Sequence, residues 1–210
     1  MNKRYERWLE AQKEEELFWD TWNVTEEEEK KWKMKFIPNI DFSDKVVLDV
    51  GCGPKGVVHY IRNECKIKIG LDPLIDVFWG SGGKFKPDTL TIYIRGSAEK
   101  IPLKSESIDV AFCINVLDHT ENPILCLKEM HRVLKSNGIL IFEINVFLYP
   151  TYLYHVVREK LNWLKDIPHP HSYTFKKIRN LLNLYFQIKF ATKIINLKVS
   201  KAYSFYCNKK

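Results

Sequence analysis

The chain has 210 residues, 45% hydrophobic and 13% aromatic, with nine Gly and nine Pro and neither a low-complexity tract nor a repeat. That composition excludes a disordered or fibrous chain and leaves room for one domain with a sizeable core. The formal charge of +7 gathers at one end, because residues 147–210 hold twelve Lys/Arg against two Asp/Glu; this is either an anion-binding face or a solvated basic surface.

No apolar leader precedes the first charged residues, and the longest apolar stretch, Gly138 to Tyr154, is broken by Glu143, Asn145 and Pro150. No secretory segment and no membrane span are therefore expected. Five cysteines, Cys52, Cys65, Cys113, Cys126 and Cys207, are odd in number, scattered and free of C-x-x-C spacing. They read as reduced thiols of a cytoplasmic protein rather than a disulfide framework or a zinc site.

Taken in order, Tyr5, Trp8, Leu9 and Gln12, then Leu17, Phe18, Trp19 and Trp22, predict a helix over 5–22. Its aromatics either pack on the domain or close over a ligand. A second helix starts at a capping box, Thr25 with Glu28, and carries acids first and lysines last, in keeping with the helix dipole; Pro38 ends it. Val46–Val50 predicts a buried strand, followed by Gly51, Gly53 and Gly56 in G-x-G-x-x-G spacing, where backbone N–H groups approach a ligand closely.

Further elements are a helix over 55–64, a strand over 66–71 ending at Asp72-Pro73, and a loop with Gly80, Gly82 and Gly83. Strands follow over 91–94 and 108–114. Asn122 and Pro123 then start a helix over 123–134, and Asn137-Gly138 turns into a strand over 139–144. Such alternation predicts a parallel sheet covered on both faces. In the tail, a helix over 150–165, another from Thr174 to Leu184, and runs over 186–191 and 202–207 suit a terminal antiparallel pair.

The glycine spacing alone also fits a dinucleotide, with Asp72 placed for ribose hydroxyls. A narrower resemblance comes from Leu48-Asp49-Val50-Gly51-Cys52-Gly53-Pro54, Gly70-Leu71-Asp72-Pro73 and Gly96-Ser97-Ala98-Glu99-Lys100-Ile101-Pro102-Leu103. Ser107 to His119 and Leu127 to Gly138 extend it. In this order the segments resemble the class I S-adenosylmethionine-dependent methyltransferases over residues 45–146. Ser97 stands where that family often has Asp, and Ser136-Asn137 replace a usual Pro-Gly.

The resemblance implies an α/β, doubly wound, Rossmann-like methyltransferase fold: a mostly parallel seven-stranded sheet with a terminal antiparallel pair. It implies S-adenosyl-L-methionine as cofactor, with Asp49 suited to the methionine ammonium, where a pyrophosphate would be repelled. Gly51, Cys52 and Gly53 would offer backbone, Asp72 and Pro73 the ribose contact, Ser97, Ala98 and Glu99 the adenine lining, and Asn115 the loop below.

Asp118 and His119 follow the fourth strand, at the edge where ligands bind in open sheets. His119 is the candidate catalytic base, since an unperturbed imidazole suits proton removal near neutral pH; it equally suits a role framing the cofactor. His169, His171 and Trp22 are the other acceptor candidates beside Asp118, while Glu143, Asn145 and Arg132 read as structural. No metal site is expected, because two His at i,i+2, His169 and His171, with no acid or Cys counted beside them make a poor metal site.

Residues 1–40 are expected to form a helical lid, and 41–210 the methyltransferase domain with an acceptor-site insertion at 147–170. No N-P-P-Y-like tetrad follows strand four, which disfavours amino methylation of nucleobases or glutamine. The expected activity is in-line methyl transfer to a small acceptor, an anionic one among the options. A non-catalytic binder of the same fold, an RNA methyltransferase and a nicotinamide-dependent oxidoreductase are the alternatives.

Overall fold

The computed structural model describes residues 3–37, 39–61, 65–79, 85–161, 166–198 and 200–210. The apolar run β1 (Val46–Val50) has β2 (Ile67–Asp72) and then β3 (Thr91–Arg95) on one side. On its other side lie β4 (Ile108–Ile114) and β5 (Leu134–Phe147). These five strands are parallel. β7 (Ser200–Lys209) joins β5 antiparallel, and β6 (Phe186–Asn196) closes the sheet antiparallel to β7, giving the order β3-β2-β1-β4-β5-β7-β6. Strand order reverses between β1 and β4, so their carboxyl ends splay apart there and leave a crevice.

Alternation of side chains builds two cores from the same strands. Leu48, Val50, Ala111, Cys113, Leu140 and Phe142 pack with Cys126, Leu127 and Met130 of α5 (Pro123–Val133) and with Ile178 and Leu182 of α7 (Phe175–Tyr185). On the opposite face, Val47, Val110, Phe112 and Ile141 pack with Val57 and Val58 of α3 (Val57–Tyr60) and with Phe36 of a 3₁₀ turn at Met34–Phe36. Covering both faces is what lets β1 and β4 be apolar along their length.

Helix starts follow their caps. The Thr25–Glu28 box opens α2 (Glu26–Lys33), with Thr25 Oγ1 accepting from the Glu28 N–H and Glu28 Oε2 from the Thr25 N–H. Asn122 caps α5 through the Leu125 N–H, and Thr174 caps α7 through the Lys177 N–H. Arg132 is structural, as expected: its guanidinium donates to the Leu103 and Ile101 carbonyls, both at 2.8 Å, and to Glu129 at 2.7 Å. The clamp fixes the 101–103 segment against α5.

Three elements depart from the sequence reading. The helix expected over 55–64 is the four-residue α3, because Ile61 already adopts extended geometry. β5 is fourteen residues long rather than six, because it is paired on both edges: Ile139 to Phe147 run beside Asn208 to Ser200 of β7 while β4 lies opposite. A short helix, α4 (Ile75–Trp79), follows β2 where only a loop was expected.

The N-terminal helix is α1 (Lys3–Thr21), and α6 (Tyr149–Lys160) occupies the first part of the 150–165 prediction. Pro38, residues 62–64, Gly80, Gly82, Gly83 and Leu164 lie outside the described residues. All five cysteines are free. No helix among the described residues is long and apolar enough to cross a membrane.

Candidate functional site

A crevice of about 990 Å³ opens at the carboxyl ends of β1, β2 and β4, walled on its outer side by α1 and α2. Of the sequence-predicted site residues, Gly51, Cys52, Gly53, Asp72, Pro73, Ser97, Ala98, Glu99, Asn115, His119, His169 and Trp22 line it. Asp49, Asp118 and His171 are not among the lining residues.

The loop after β1 is held by its neighbour strand. Gly51 and Cys52 donate to the Leu71 carbonyl at 2.7 and 3.1 Å, and Gly53 donates to Asp72 Oδ2 at 2.9 Å. Gly51 and Gly53 have φ of +66° and +60°, left-handed values that glycine adopts freely. A Cβ on Gly51 would lie 2.5 Å from a Val116 methyl, and one on Gly53 would meet the Trp19 ring at 3.3 Å. Asp72 also accepts from the Leu74 N–H at 2.9 Å. Burial pushes its carboxyl up to about 6, against the pull of these two N–H groups.

Asp49 stands behind this loop. Its Oδ2 accepts from the Val58 N–H at 3.3 Å, stitching β1 to the start of α3, and burial raises its carboxyl to about 6. The carboxylate expected to face a ligand ammonium is thus turned onto the helix N-terminus, where the dipole favours an anion. Glu99 lines the crevice yet spends Oε1 on the Glu121 and Asn122 N–H groups at 2.7 and 3.1 Å. Asn115, at φ +56°, donates its N–H to the Glu143 carbonyl and accepts from the Asn145 side-chain amide, both at 3.1 Å.

Two further buried acids, Glu143 and Glu29, stand on the crevice wall. Glu143 is 2% exposed, its Oε2 has no hydrogen-bond partner, and burial with the nearby Asp118 charge pushes it up to about 8. Glu29, from the acidic run of α2, is 5% exposed with Oε1 unpartnered, and burial raises it too. A buried carboxylate without a partner is costly unless something else answers its charge.

His119 sits in a 3₁₀ turn at Leu117–His119. Its Nδ1 is 3.0 Å from Glu15 Oε1 of α1, and its Nε2 is 3.9 Å from Asp118 Oδ1. Burial opposes the charged ring, but Asp118 and Glu15 outweigh it and hold the imidazole up at about 9. His169 lies with its ring 4.6 Å from that of His119 and its Nδ1 3.1 Å from Asp166 Oδ1. Asp166, three residues before His169, is the acid the sequence reading passed over. His171 instead ties two loops together, with Nε2 2.9 Å from the Thr120 carbonyl and its N–H 3.3 Å from the Asp118 carbonyl.

α1 meets the segment after α6. Arg7 pairs with Glu159 at 2.7 Å and donates to the Ile167 carbonyl at 2.5 Å and to the Asp166 carbonyl. Trp19 faces Gly53 and sets its ring edge-on to Phe78 and Phe85, both at 6.2 Å. None of the described Lys/Arg of 147–210 lines the crevice, whereas Lys33 does.

Residues 48–142 match the family model described as a methyltransferase domain. An uncharacterized methyltransferase of Mycobacteroides abscessus is 31% identical over 108 residues, which is 50% of this chain and 42% of that protein. A tRNA U34 carboxymethyltransferase of Nautilia profundicola is 32% identical over 117 residues, covering 54% and 38%. The chain thus spans about two fifths of the length of these curated relatives. Among solved structures, the PH0226 protein of Pyrococcus horikoshii superposes with a TM-score of 0.63 at 18% identity, covering 90% of this chain and 93% of that one.

Proposed function

We propose that the chain carries a class I S-adenosylmethionine-dependent methyltransferase domain whose crevice binds S-adenosylmethionine for methyl transfer to a small acceptor admitted beside His119 and His169. The residues present fit the cofactor. A volume of about 990 Å³ admits a nucleoside with an amino-acid arm, and the unpartnered Glu29 and Glu143 oxygens are hydrogen-bond acceptors for that arm.

Bound there, the cofactor supplies an electrophilic methyl on a sulfonium that already has a good leaving group. The chain's own residues bind and orient it. Asp72 would hold the ribose hydroxyls, Ser97 and Ala98 the adenine edge, and the 51–53 backbone the methionine arm. Asp49 acts through the loop it braces. α1, with Trp19 over Gly53, is the proposed lid with the 147–170 segment, and closure would keep water from the reacting atoms. Holding the acceptor in line supplies much of the rate in such a transfer.

The wall carries Glu14, Glu15, Glu28, Glu29, Asp72 and Glu99, beside a Glu143 whose raised carboxyl keeps its proton near neutral pH, against Lys33, His119 and His169. That field favours a neutral or cationic acceptor over the anionic one first entertained. The tRNA-directed relative gives an RNA acceptor a precedent, but none of the described Lys/Arg of 147–210 lies on this wall.

The observation that carries the reading is Asp72, which ends β2 in the crevice and holds Gly53 by a 2.9 Å bond. Calorimetric titration tests it. S-adenosylhomocysteine should bind one per chain, NAD should not, and Asp72→Ala should weaken binding by about 10-fold or more. A folded chain that takes up no S-adenosylhomocysteine, or an Asp72→Ala variant of unchanged affinity, overturns it.

A further inference from the structure

Asp118, His119 and His169 come together at the acceptor end of the crevice from the turn after β4 and the segment after α6. One ligand-type atom from each lies within 4.8 Å of the others. The arrangement around them is directional. His169 turns Nδ1 to Asp166 in a 3.1 Å hydrogen bond, so a carboxylate fixes one of its nitrogens, and His119 Nδ1 lies 3.0 Å from Glu15 Oε1 without hydrogen-bond geometry. In metal sites, a carboxylate on one nitrogen of a histidine orients the other toward the ion.

Independently, Asp118 Oδ1 is buried with no hydrogen-bond partner, 3.9 Å from His119 Nε2, and the residue is 6% exposed. A buried carboxylate oxygen without a hydrogen bond, beside two imidazoles, is a place for a cation. Two imidazoles with one carboxylate form the donor set of open zinc sites and of non-haem iron sites.

We propose that Asp118, His119 and His169 bind a divalent first-row transition ion, zinc being the reference case, with a coordination position left open toward the crevice. Ligand bonds near 2.0–2.2 Å require the three groups to draw together. His169 is the one able to move, because its side chain is 41% exposed while those of Asp118 and His119 are 8% and 12% exposed. The other groups facing the site are Glu15, Asp166, the Pro168 carbonyl and His155, whose Nδ1 is 3.8 Å from Asp166.

The test uses full-length, tag-free protein stripped with chelator, without cofactor. Equilibrium dialysis with elemental analysis measures zinc, and visible absorption of added Co²⁺ reports coordination. One ion per chain is expected, with the strong bands of low-coordinate Co²⁺ that zinc abolishes. His169→Ala and Asp118→Asn should each lower affinity by about 10-fold or more. His131→Gln, on α5 away from the site, should leave it unchanged, and thermal melting of His169→Ala confirms that the exposed substitution leaves the fold intact. A wild type that takes up no stoichiometric ion overturns the site, leaving a hydrogen-bonded network only. Uptake that survives His169→Ala does the same. Neither readout involves methyl transfer, so the metal site and the methyltransferase reading fail separately.

Discussion

Asp49 is a buried carboxylate supported by the Val57 and Val58 N–H groups and faced by Lys33, Asp72 and Cys52. Its folded pKa of about 6 lies above the ordinary aspartate value. Between roughly pH 4 and 6 the folded chain keeps a proton that the unfolded chain has lost, so stability from this group falls as pH rises through that window. Above it, the full penalty remains. Asp49→Asn should therefore stabilise the cofactor-free protein by about 1–3 kcal/mol at pH 7.5, and the gain should shrink toward zero by pH 4. Urea unfolding at the two pH values checks this; a gain that is equal at both would mean the carboxyl is not shifted. At Gly51 the effect is steric. Gly51→Ala faces about 1–2 kcal/mol of left-handed strain, plus the Val116 contact. Adding Val116→Ala should recover the contact part only, as read by denaturant midpoints.

α1 is nineteen residues long yet buries only Ala11. Most of a helix's stability in a protein comes from tertiary packing, so α1's hold on the domain rests on Trp19, the Glu15–His119 pair and the Arg7 contacts. Its amides should exchange with deuterium faster than those of β1 and β4, and S-adenosylhomocysteine should slow them. Arg7→Ala should speed exchange in both α1 and residues 166–171. Protection in α1 equal to that of β4 without ligand would contradict the lid. Elements differ in how far a single segment foretells them. β1, β4 and the Thr25 and Asn122 caps are local patterns and sit where their residues imply. The length of β5 depends on β7, which no window around Ile139 contains. Glu29 reads as one acid among four at a helix start, and its burial follows from the tertiary packing of α2, which contacts the turn at Met34–Phe36 and α3. Asp118, His119 and His169 become one cluster only once the segment after α6 folds back over the turn after β4.

At the scale of the molecule, the crevice joins two bodies of unequal stability, the doubly packed sheet and the thinly buried α1. A ligand touching both adds its binding energy to folding, because the unfolded chain has no crevice to offer. At a hundred times its dissociation constant, a one-site ligand adds about 2.7 kcal/mol. For a chain of this size that is a rise of about 5–10 °C in melting temperature. S-adenosylhomocysteine should produce that rise, NAD should not, and Asp72→Ala should lose most of it at the same ligand concentration. Trp19→Ala separates the two bodies. It leaves the sheet core untouched, so the cofactor-free melting temperature should change little, while the ligand-induced rise should shrink because the outer wall over Gly53 is gone. If Trp19→Ala kept the whole rise, the binding energy would come from the sheet edge alone and α1 would have no part in holding the cofactor.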